Sequence, residues 1–242
     1  INLNTPFPSF VIQGKEGAGF AEGCNQGLDE LTEESWNGWV WLLNPDIGIE
    51  DSSTVNFLQK ALSRIPGNAL VGTAVFDFQK NLEKSAGWID PGCDFRRRRV
   101  SKELFEFHQK EILPLDWISG CSMLFNPSSH INKPRFDTSF PLYYEDMDFC
   151  LRLSKIGNPV IWMPSISVNH NNGMGSITSS QRRLRMSSCS YIRFLQRHRP
   201  GIALYLRTVR IVLYALVKIP LSPKRSFSVL QGCCDAFSQP LF

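Results

Sequence analysis

Trp39-Val40-Trp41-Leu42-Leu43-Asn44-Pro45-Asp46 is an apolar run that ends in a turn signal and a carboxylate. Its unbroken apolar character fits a strand covered on both faces, and Asn-Pro is chemistry that closes a strand into a turn. Runs of the same kind recur at residues 10–12, 70–76, 118–125 and 160–163. Helical patterns lie between them at residues 21–31, 53–63 and 146–156, the last stopping before Gly157. The alternation predicts an α/β domain whose central sheet is covered by helices. In open sheets of this class ligands bind at the carboxyl ends of strands, which is where Asp46 falls.

With 43% hydrophobic and 20% charged residues among 242, the chain has the composition of a globular protein and excludes disordered and fibrous classes. Its seven cysteines are an odd number, scattered and without a C-x-x-C pair, which predicts reduced thiols in a cytosolic setting and argues against a zinc ribbon. No stretch reaches 18 uncharged apolar residues, so neither a spanning helix nor a signal peptide is expected. The chain starts at Ile1 and enters the run at residues 10–12 almost at once, which predicts a piece of something longer.

Charge is unevenly spread. Residues 1–180 hold 15 basic and 21 acidic side chains, whereas residues 181–242 hold 11 basic ones and a single acid, Asp235. In that tail, helical patterns at residues 181–197 and 203–217 flank Pro200-Gly201, and Arg207, Arg210 and Lys218 stand among aliphatic residues. A basic amphipathic helix of this kind fits either an anionic membrane surface or a helix packed on the main domain. Nucleic acid is not expected, because the arginines accompany aliphatics rather than an aromatic-lined groove. The stretch 79–115, with the run Arg96 to Arg99, reads as a long solvated excursion.

Four features are candidates for chemistry. Gly14, Gly17, Gly19, Gly23 and Gly27 crowd the first strand-to-helix junction, but the spacing G-x-G-x-x-x-G is one residue longer than a dinucleotide fingerprint, so a tight turn and a phosphate loop both stay open. Asp46 is either a strand-end metal ligand or a solvated turn residue. Tyr143-Tyr144-Glu145-Asp146-Met147-Asp148 gathers three acids at a helix start. One cap needs one acid, so the excess suggests a carboxylate serving as a base. At about 100° per residue Asp148 is turned roughly 200° from Asp146, so the three cannot all face one substrate. His170, before Asn171-Asn172-Gly173, fits a structural histidine or a ligand. No G-x-S-x-G, H-E-x-x-H or P-loop occurs, which removes nucleophilic hydrolases, zinc proteases and nucleoside triphosphatases.

Taken in order, Gly19-Phe20-Ala21-Glu22-Gly23-Cys24-Asn25-Gln26-Gly27, Leu43-Asn44-Pro45-Asp46, Trp117-Ile118-Ser119-Gly120-Cys121, Phe136-Asp137 and Tyr144-Glu145-Asp146-Met147-Asp148-Phe149-Cys150-Leu151-Arg152 resemble glycosyltransferase family 2, in its rhamnosyltransferase-like subgroup. Residues 164–170 match the late histidine block, and the resemblance covers about residues 14 to 200. It implies a GT-A fold over residues 1–178, followed by a basic amphipathic helical extension over residues 179–242. It also implies that Asp46 binds Mg²⁺ or Mn²⁺ on the diphosphate of a nucleoside-diphosphate sugar, that His170 supports the metal or the diphosphate, and that Asp146 is the base. Glu145 becomes its neighbouring acid, and Gly19, Phe20, Asn25, Asn44, Ser119 and Gly120 fall around the donor. Arg152 is expected to brace the acidic helix. The family opens with a strand and turn that hold the nucleotide base, and nothing before Phe10 supplies them.

Two functions of different class follow from this resemblance. One is an inverting, metal-dependent transfer of rhamnose or a similar hexose to a hydroxyl of a growing cell-surface glycan or lipid-linked saccharide, at the cytoplasmic face of a membrane. The other is a catalytically impaired sugar-nucleotide-binding or glycan-assembly protein.

Overall fold

The computed structural model describes residues 11–15, 17–49, 53–90, 97–171 and 180–238. In chain order its elements are α1 (Phe20–Glu33), β1 (Val40–Leu43), β2 (Ile47–Gly48), α2 (Ser53–Leu62), β3 (Leu70–Asp77), β4 (Ala86–Ile89), β5 (Arg97–Arg99), α3 (Lys102–Phe107), β6 (Leu113–Pro114), β7 (Trp117–Ile118), β8 (Ser122–Phe125), α4 (Glu145–Lys155), β9 (Val160–His170), α5 (Ser180–His198), α6 (Ile202–Lys218) and α7 (Pro223–Ser238).

β3 is the axis of the molecule. Its first six residues, Leu70 to Val75, are all buried, as an apolar strand with cover on both faces must be. It pairs in parallel with β9 and antiparallel with β8, giving a mixed sheet ordered β1-β8-β3-β9-β2, with β6 added on β9. Leu58 and Leu62 of α2 cover one face, packing with Val71, Leu124, Ile161 and Ile166. α1 and α4 cover the other through Ala21, Leu28, Phe149 and Leu153, around Leu70, Phe125 and Trp162. Burying such side chains stabilises the fold by about 1.5–3 kcal/mol each. The α/β architecture with a helix-covered sheet and a helical C-terminal region is therefore the observed one.

Several elements differ from the pattern in the sequence. The apolar run 118–125 is two strands, β7 and β8, because Ser119-Gly120-Cys121 turns the chain from one sheet to another. The excursion 79–115 is not simply solvated loop: β4 and β5 join β7 in a second, three-stranded sheet, and β6 joins the first. Its arginines alternate along the exposed edge strand β5 rather than lying in a loop; Arg96 falls outside the described residues. The run 160–163 continues to His170 through an irregularity opposite Thr73 and Ala74, where residues between Met163 and Ser167 are left over in the register. Val11 and Ile12 carry no strand, and the rest of the expected first strand lies outside the described residues.

In the C-terminal region α7 joins the two expected helices. Cys189 and Ile192 of α5 pack on Cys233 and Ala236 of α7, and α5 also sends Phe194 and Leu195 into the main core. α5 and α7 approach so closely that a Cβ on Gly232 would lie 2.2 Å from the Arg185 carbonyl oxygen. No helix among the described residues is long and apolar enough to cross a membrane.

Candidate active site

The turn Ser119-Gly120-Cys121 organises the site. Its middle residue is packed closely: a Cβ there would fall 2.5 Å from the Phe20 ring, so a larger residue would require that ring to move. The Gly120 N–H donates to Asp146 Oδ2 at 3.1 Å, and the Met147 N–H donates to Oδ1 at 2.8 Å. On the other side of the turn the Cys121 carbonyl accepts from the Asn44 N–H at 3.1 Å, and Asn44 Nδ2 lies 3.3 Å from Cys121 Sγ. Asn44 and Ile47 close a hydrogen-bonded turn around Pro45-Asp46, so Asn-Pro-Asp is a turn and also a means of aiming a carboxylate.

That carboxylate meets His170. Asp46 Oδ1 lies 3.2 Å from His170 Nε2, and His170 Nδ1 lies 2.9 Å from Glu83 Oε1. The pairing of Ile47 with His170, and the Asn171 N–H donated to the Asp46 carbonyl at 2.8 Å, fix the two strand ends together. Asp46 Oδ1 is nonetheless a buried oxygen without a hydrogen bond of good geometry. Among the described residues no group of three or more His, Cys, Asp and Glu side chains forms a ready-made metal cage.

A cavity of about 540 Å³ opens over Asp146, bordered by Lys84, Arg97, Arg99, Ser119, Tyr144 and Tyr191. Tyr143 and Tyr144 both have left-handed backbone, with φ of 64° and 69°. Two such residues in succession cost about 1–3 kcal/mol each. Stacking holds the second in place: the Arg97 guanidinium lies 4.8 Å over the Tyr144 ring, and Tyr191 and Phe194 pack 5.5 and 5.2 Å from it. Burial pushes the Asp146 carboxyl above the usual range, against the Gly120 and Met147 amides and the Arg97 charge, which pull it back. Cys121, which feels the charges of Asp146, Glu83 and Asp46, is pushed by burial up to about 11 and stays a thiol.

The other two acids of the block do different work. Asp148 is completely buried and accepts from Arg152 Nε at 2.7 Å, His198 Nε2 at 2.9 Å and Arg197 at 3.0 Å, tying α4 to α5. Lys155 Nζ lies 3.5 Å from His198 Nδ1, which fits a neutral imidazole that accepts there and donates from Nε2. Arg152 also donates to the Arg135 carbonyl at 2.8 Å, so it braces the acidic helix. Glu145 is buried, does not border the Asp146 cavity, and leaves Oε2 without a partner. Burial and the Asp146 charge raise its carboxyl to about 8.

Glu145 therefore predicts a stability effect. Its folded-state value lies above the unfolded one, so the folded chain binds more protons between about pH 4.5 and 8, and stability falls as pH rises through that window. Glu145→Gln removes the cost of ionising a buried group. At pH 8 it should raise stability by about 1 kcal/mol or more, and thermal melts should lose much of their downward slope with pH. An unchanged slope would mean that another group carries it.

Of the residues expected around a donor, Asn44, Asp46, His170, Ser119 and Gly120 come together with Asp146 around one turn. Asn25 is occupied elsewhere: its side chain donates to the Phe136 carbonyl and accepts from the Phe136 N–H, each at 2.9 Å. Phe20 supports Gly120 from behind and packs edge-on against Phe136 at 5.7 Å. Gly19 caps α1 and borders a separate cavity with Arg182 and Arg185. Glu83, Lys84, Arg97 and Arg99 also belong to the site, although no motif marks them, and all come from residues 79–115.

The sequence matches no family model. It is 26% identical over 174 residues to N-acetylglucosaminyl-diphospho-decaprenol L-rhamnosyltransferase of Mycobacterium tuberculosis, a match covering 63% of this chain and 55% of that one. It is 31% identical over 85 residues to rhamnosyltransferase WbbL of Escherichia coli K12, covering 35% of this chain and 32% of that one. The chain thus spans about half the length of the longer-matched relative. Among solved structures, GalNAc-T7 with UDP, GalNAc and Mn²⁺ aligns at a TM-score of 0.49 and 10% identity, covering 91% of this chain and 41% of that one. In sequence the chain is rhamnosyltransferase-like.

Proposed function

We propose that the chain is the catalytic portion of an inverting glycosyltransferase that moves rhamnose or a similar hexose from a nucleoside-diphosphate sugar to a saccharide hydroxyl. The observation that carries this reading is the turn 119–121, which joins a cavity-lining carboxylate, Asp146, to the Asp46–His170–Glu83 cluster on its other side. An acceptor-side base and a donor-side anion site must lie within a sugar ring of each other, and one turn of chain fits that need. The rhamnosyltransferase relatives favour the same reading.

A sugar hydroxyl is a poor nucleophile. Asp146 would accept its proton as the bond to the anomeric carbon forms, and the two amides on its oxygens hold it in one orientation. A value raised by burial suits this task, because the carboxylate then takes a proton more readily near neutral pH, and activity should rise with pH through that value. Attack from the face opposite the leaving group inverts the anomeric centre. Lys84, Arg97 and Arg99 give the cavity a positive lining that suits phosphate oxygens.

The Asp46 and His170 donor set fits a divalent cation in part. Asp46 offers a buried oxygen whose one neighbour, His170 Nε2 at 3.2 Å, makes no well-aligned hydrogen bond to it, and His170 offers that nitrogen, while water and the donor's own diphosphate would have to complete the shell. Bound there, Mg²⁺ or Mn²⁺ would neutralise charge on the leaving diphosphate. Glu83 fixes the His170 ring from its far nitrogen. Asp46→Asn keeps the turn and removes the charge, so nucleoside diphosphate affinity in the presence of Mn²⁺ should fall at least about tenfold. Calorimetry with and without Mn²⁺ reads this. Metal-independent binding that survives the substitution would leave Asp46 a turn residue.

The acceptor end of the proposal concerns a membrane. Ile202, Tyr205, Leu206, Leu213 and Val217 of α6 are exposed, with Arg210, Lys224 and Arg225 exposed nearby in sequence. An apolar face with basic neighbours suits the surface of an anionic leaflet, where each basic residue contributes about 1 kcal/mol at low salt. Co-sedimentation should favour phosphatidylglycerol vesicles over neutral ones and weaken with salt. Equal partitioning onto both would remove the membrane from the proposal.

A further inference from the structure

Tyr143 has a backbone that glycine adopts freely and a tyrosine does not, with φ at 64°. Tyr144 shares that conformation, but its side chain gains contacts that offset it: the ring carries the Arg97 guanidinium and packs against Tyr191 and Phe194. The Tyr143 side chain has no such support. It is 52% exposed, and among the described residues it makes no hydrogen bond and no ring contact. Its position is fixed all the same. The Leu142 N–H donates at 3.3 Å to Oγ of Ser190, a fully buried residue of α5, and the Tyr144 carbonyl accepts from the Asp148 N–H at 2.8 Å as α4 begins. Held from both sides, Tyr143 borders the Asp146 cavity. A turn that had only to lead the chain into α4 would be served better by glycine at this position.

The border of the cavity carries a second unmatched group. Trp117 is 4% exposed, and its indole N–H is buried without a hydrogen-bond partner. The indoles of Trp41, Trp88 and Trp162, by contrast, donate to Ser122 Oγ and to the Pro114 and Thr73 carbonyls at 2.8 to 3.1 Å. A buried donor left unmatched is destabilising, and a ligand that brings an acceptor oxygen removes that cost. An exposed aromatic ring, an unmatched donor and the Asp146 carboxylate around one space suit a ligand with an apolar face and several oxygens. A pyranose has both, since its C–H groups line a ring face and its hydroxyls project around the edge. The Asp46–His170 cluster lies across the Ser119 turn and would serve the donor, which leaves the Tyr143 side for the acceptor.

We propose that Tyr143 is the stacking platform for the acceptor, taking the C–H face of a pyranose ring so that a hydroxyl of that ring reaches Asp146. The inference rests on the transferase reading and adds the residue that separates a cyclic acceptor from an acyclic polyol. The contact is made by the face of the aromatic ring, so the phenol hydroxyl is dispensable.

Methyl glucopyranoside, methyl rhamnopyranoside and sorbitol, each titrated into the full chain and followed by saturation-transfer NMR, separate recognition of a ring face from recognition of hydroxyls. At least one pyranoside should bind more tightly than sorbitol, with saturation strongest on the C–H protons of one ring face. Y143A and Y143G should weaken that pyranoside by about tenfold, whereas Y143F should bind it as wild type does. Y143G should not lower the melting temperature, because the side chain it removes makes no internal contact and glycine suits the backbone. A fall in melting temperature in Y143G with pyranoside affinity kept would make Tyr143 a structural residue and overturn the proposal. Equally tight binding of sorbitol, or no pyranoside binding by wild type, would also overturn it. Nucleoside diphosphate binding with Mn²⁺, measured on the same proteins, reads the donor half. If it persists while the pyranoside result fails, only the Tyr143 platform falls; if it is absent from wild type, the transferase reading falls.

Discussion

Asp146→Asn is expected to lower the rate of sugar transfer by about 100- to 10,000-fold, the range for removing a positioned base. It should leave the fold nearly as stable as before. The substituted amide keeps the size of the carboxyl, and its oxygen can still accept from the Gly120 or Met147 N–H, though not from both through two oxygens. Losing one hydrogen bond costs about 1 kcal/mol, and removing a carboxylate that burial already disfavours offsets part of that. Donor affinity, read by calorimetry, should change little. Glu145→Gln should retain transfer, because Glu145 does not border the cavity. Near-normal turnover in Asp146→Asn, with activity lost in Glu145→Gln, would move the base to Glu145.

Asp148→Asn, two residues away, should show the reverse: a large loss of stability. Its carboxylate is fully buried under three donors, Arg152, His198 and Arg197. Burial pushes its value up, but the hydrogen bond from His198 and the Arg152 and Arg197 charges outweigh this and hold the carboxyl below its ordinary range. Removing one partner of a buried ionic cluster costs about 3–5 kcal/mol, since the remaining charges lose their counter-charge. For a chain of this size that is a fall in melting temperature of about 6–20 °C. The pH sign follows. A depressed carboxylate contributes its stability above the unfolded value near 3.8, and loses it as pH falls through the lower folded value. Wild type should therefore destabilise on acidification more steeply than Asp148→Asn. Coincident acid profiles would place the anchor elsewhere.

The contrast between Asp146 and Asp148 was legible in the sequence, because helical geometry turns them about 200° apart. Which faced a cavity was not. That depended on the turn 119–121 between β7 and β8 delivering the Gly120 amide, 26 residues away. The strands at residues 40–43 and 70–77 were readable from their apolar runs, but cover on both faces holds only for β3, which pairs with two neighbours; β1 is a half-exposed edge strand. The break inside residues 118–125 was hidden, since the close approach of the Phe20 ring to Gly120 is a tertiary contact and not a local pattern. Glu83 and Arg97 escaped for the same reason. Glu83 meets His170 across 87 residues of chain, and Arg97 sits in an exposed three-residue strand whose charge pattern resembles a loop. Asn25 shows the opposite case: it stands in a block that resembles a donor-binding motif, yet both ends of its amide secure α1 to the backbone at Phe136.

The most direct test of the account is sugar transfer itself, with a panel of nucleoside-diphosphate sugars that includes a rhamnose donor, lipid-diphosphate saccharide acceptors and Mn²⁺, and the product's anomeric configuration read by NMR. Wild type should form a product of inverted configuration relative to the donor, at a rate reduced at least about 100-fold in Asp146→Asn. A retained configuration, or equal turnover in wild type and Asp146→Asn, would contradict it.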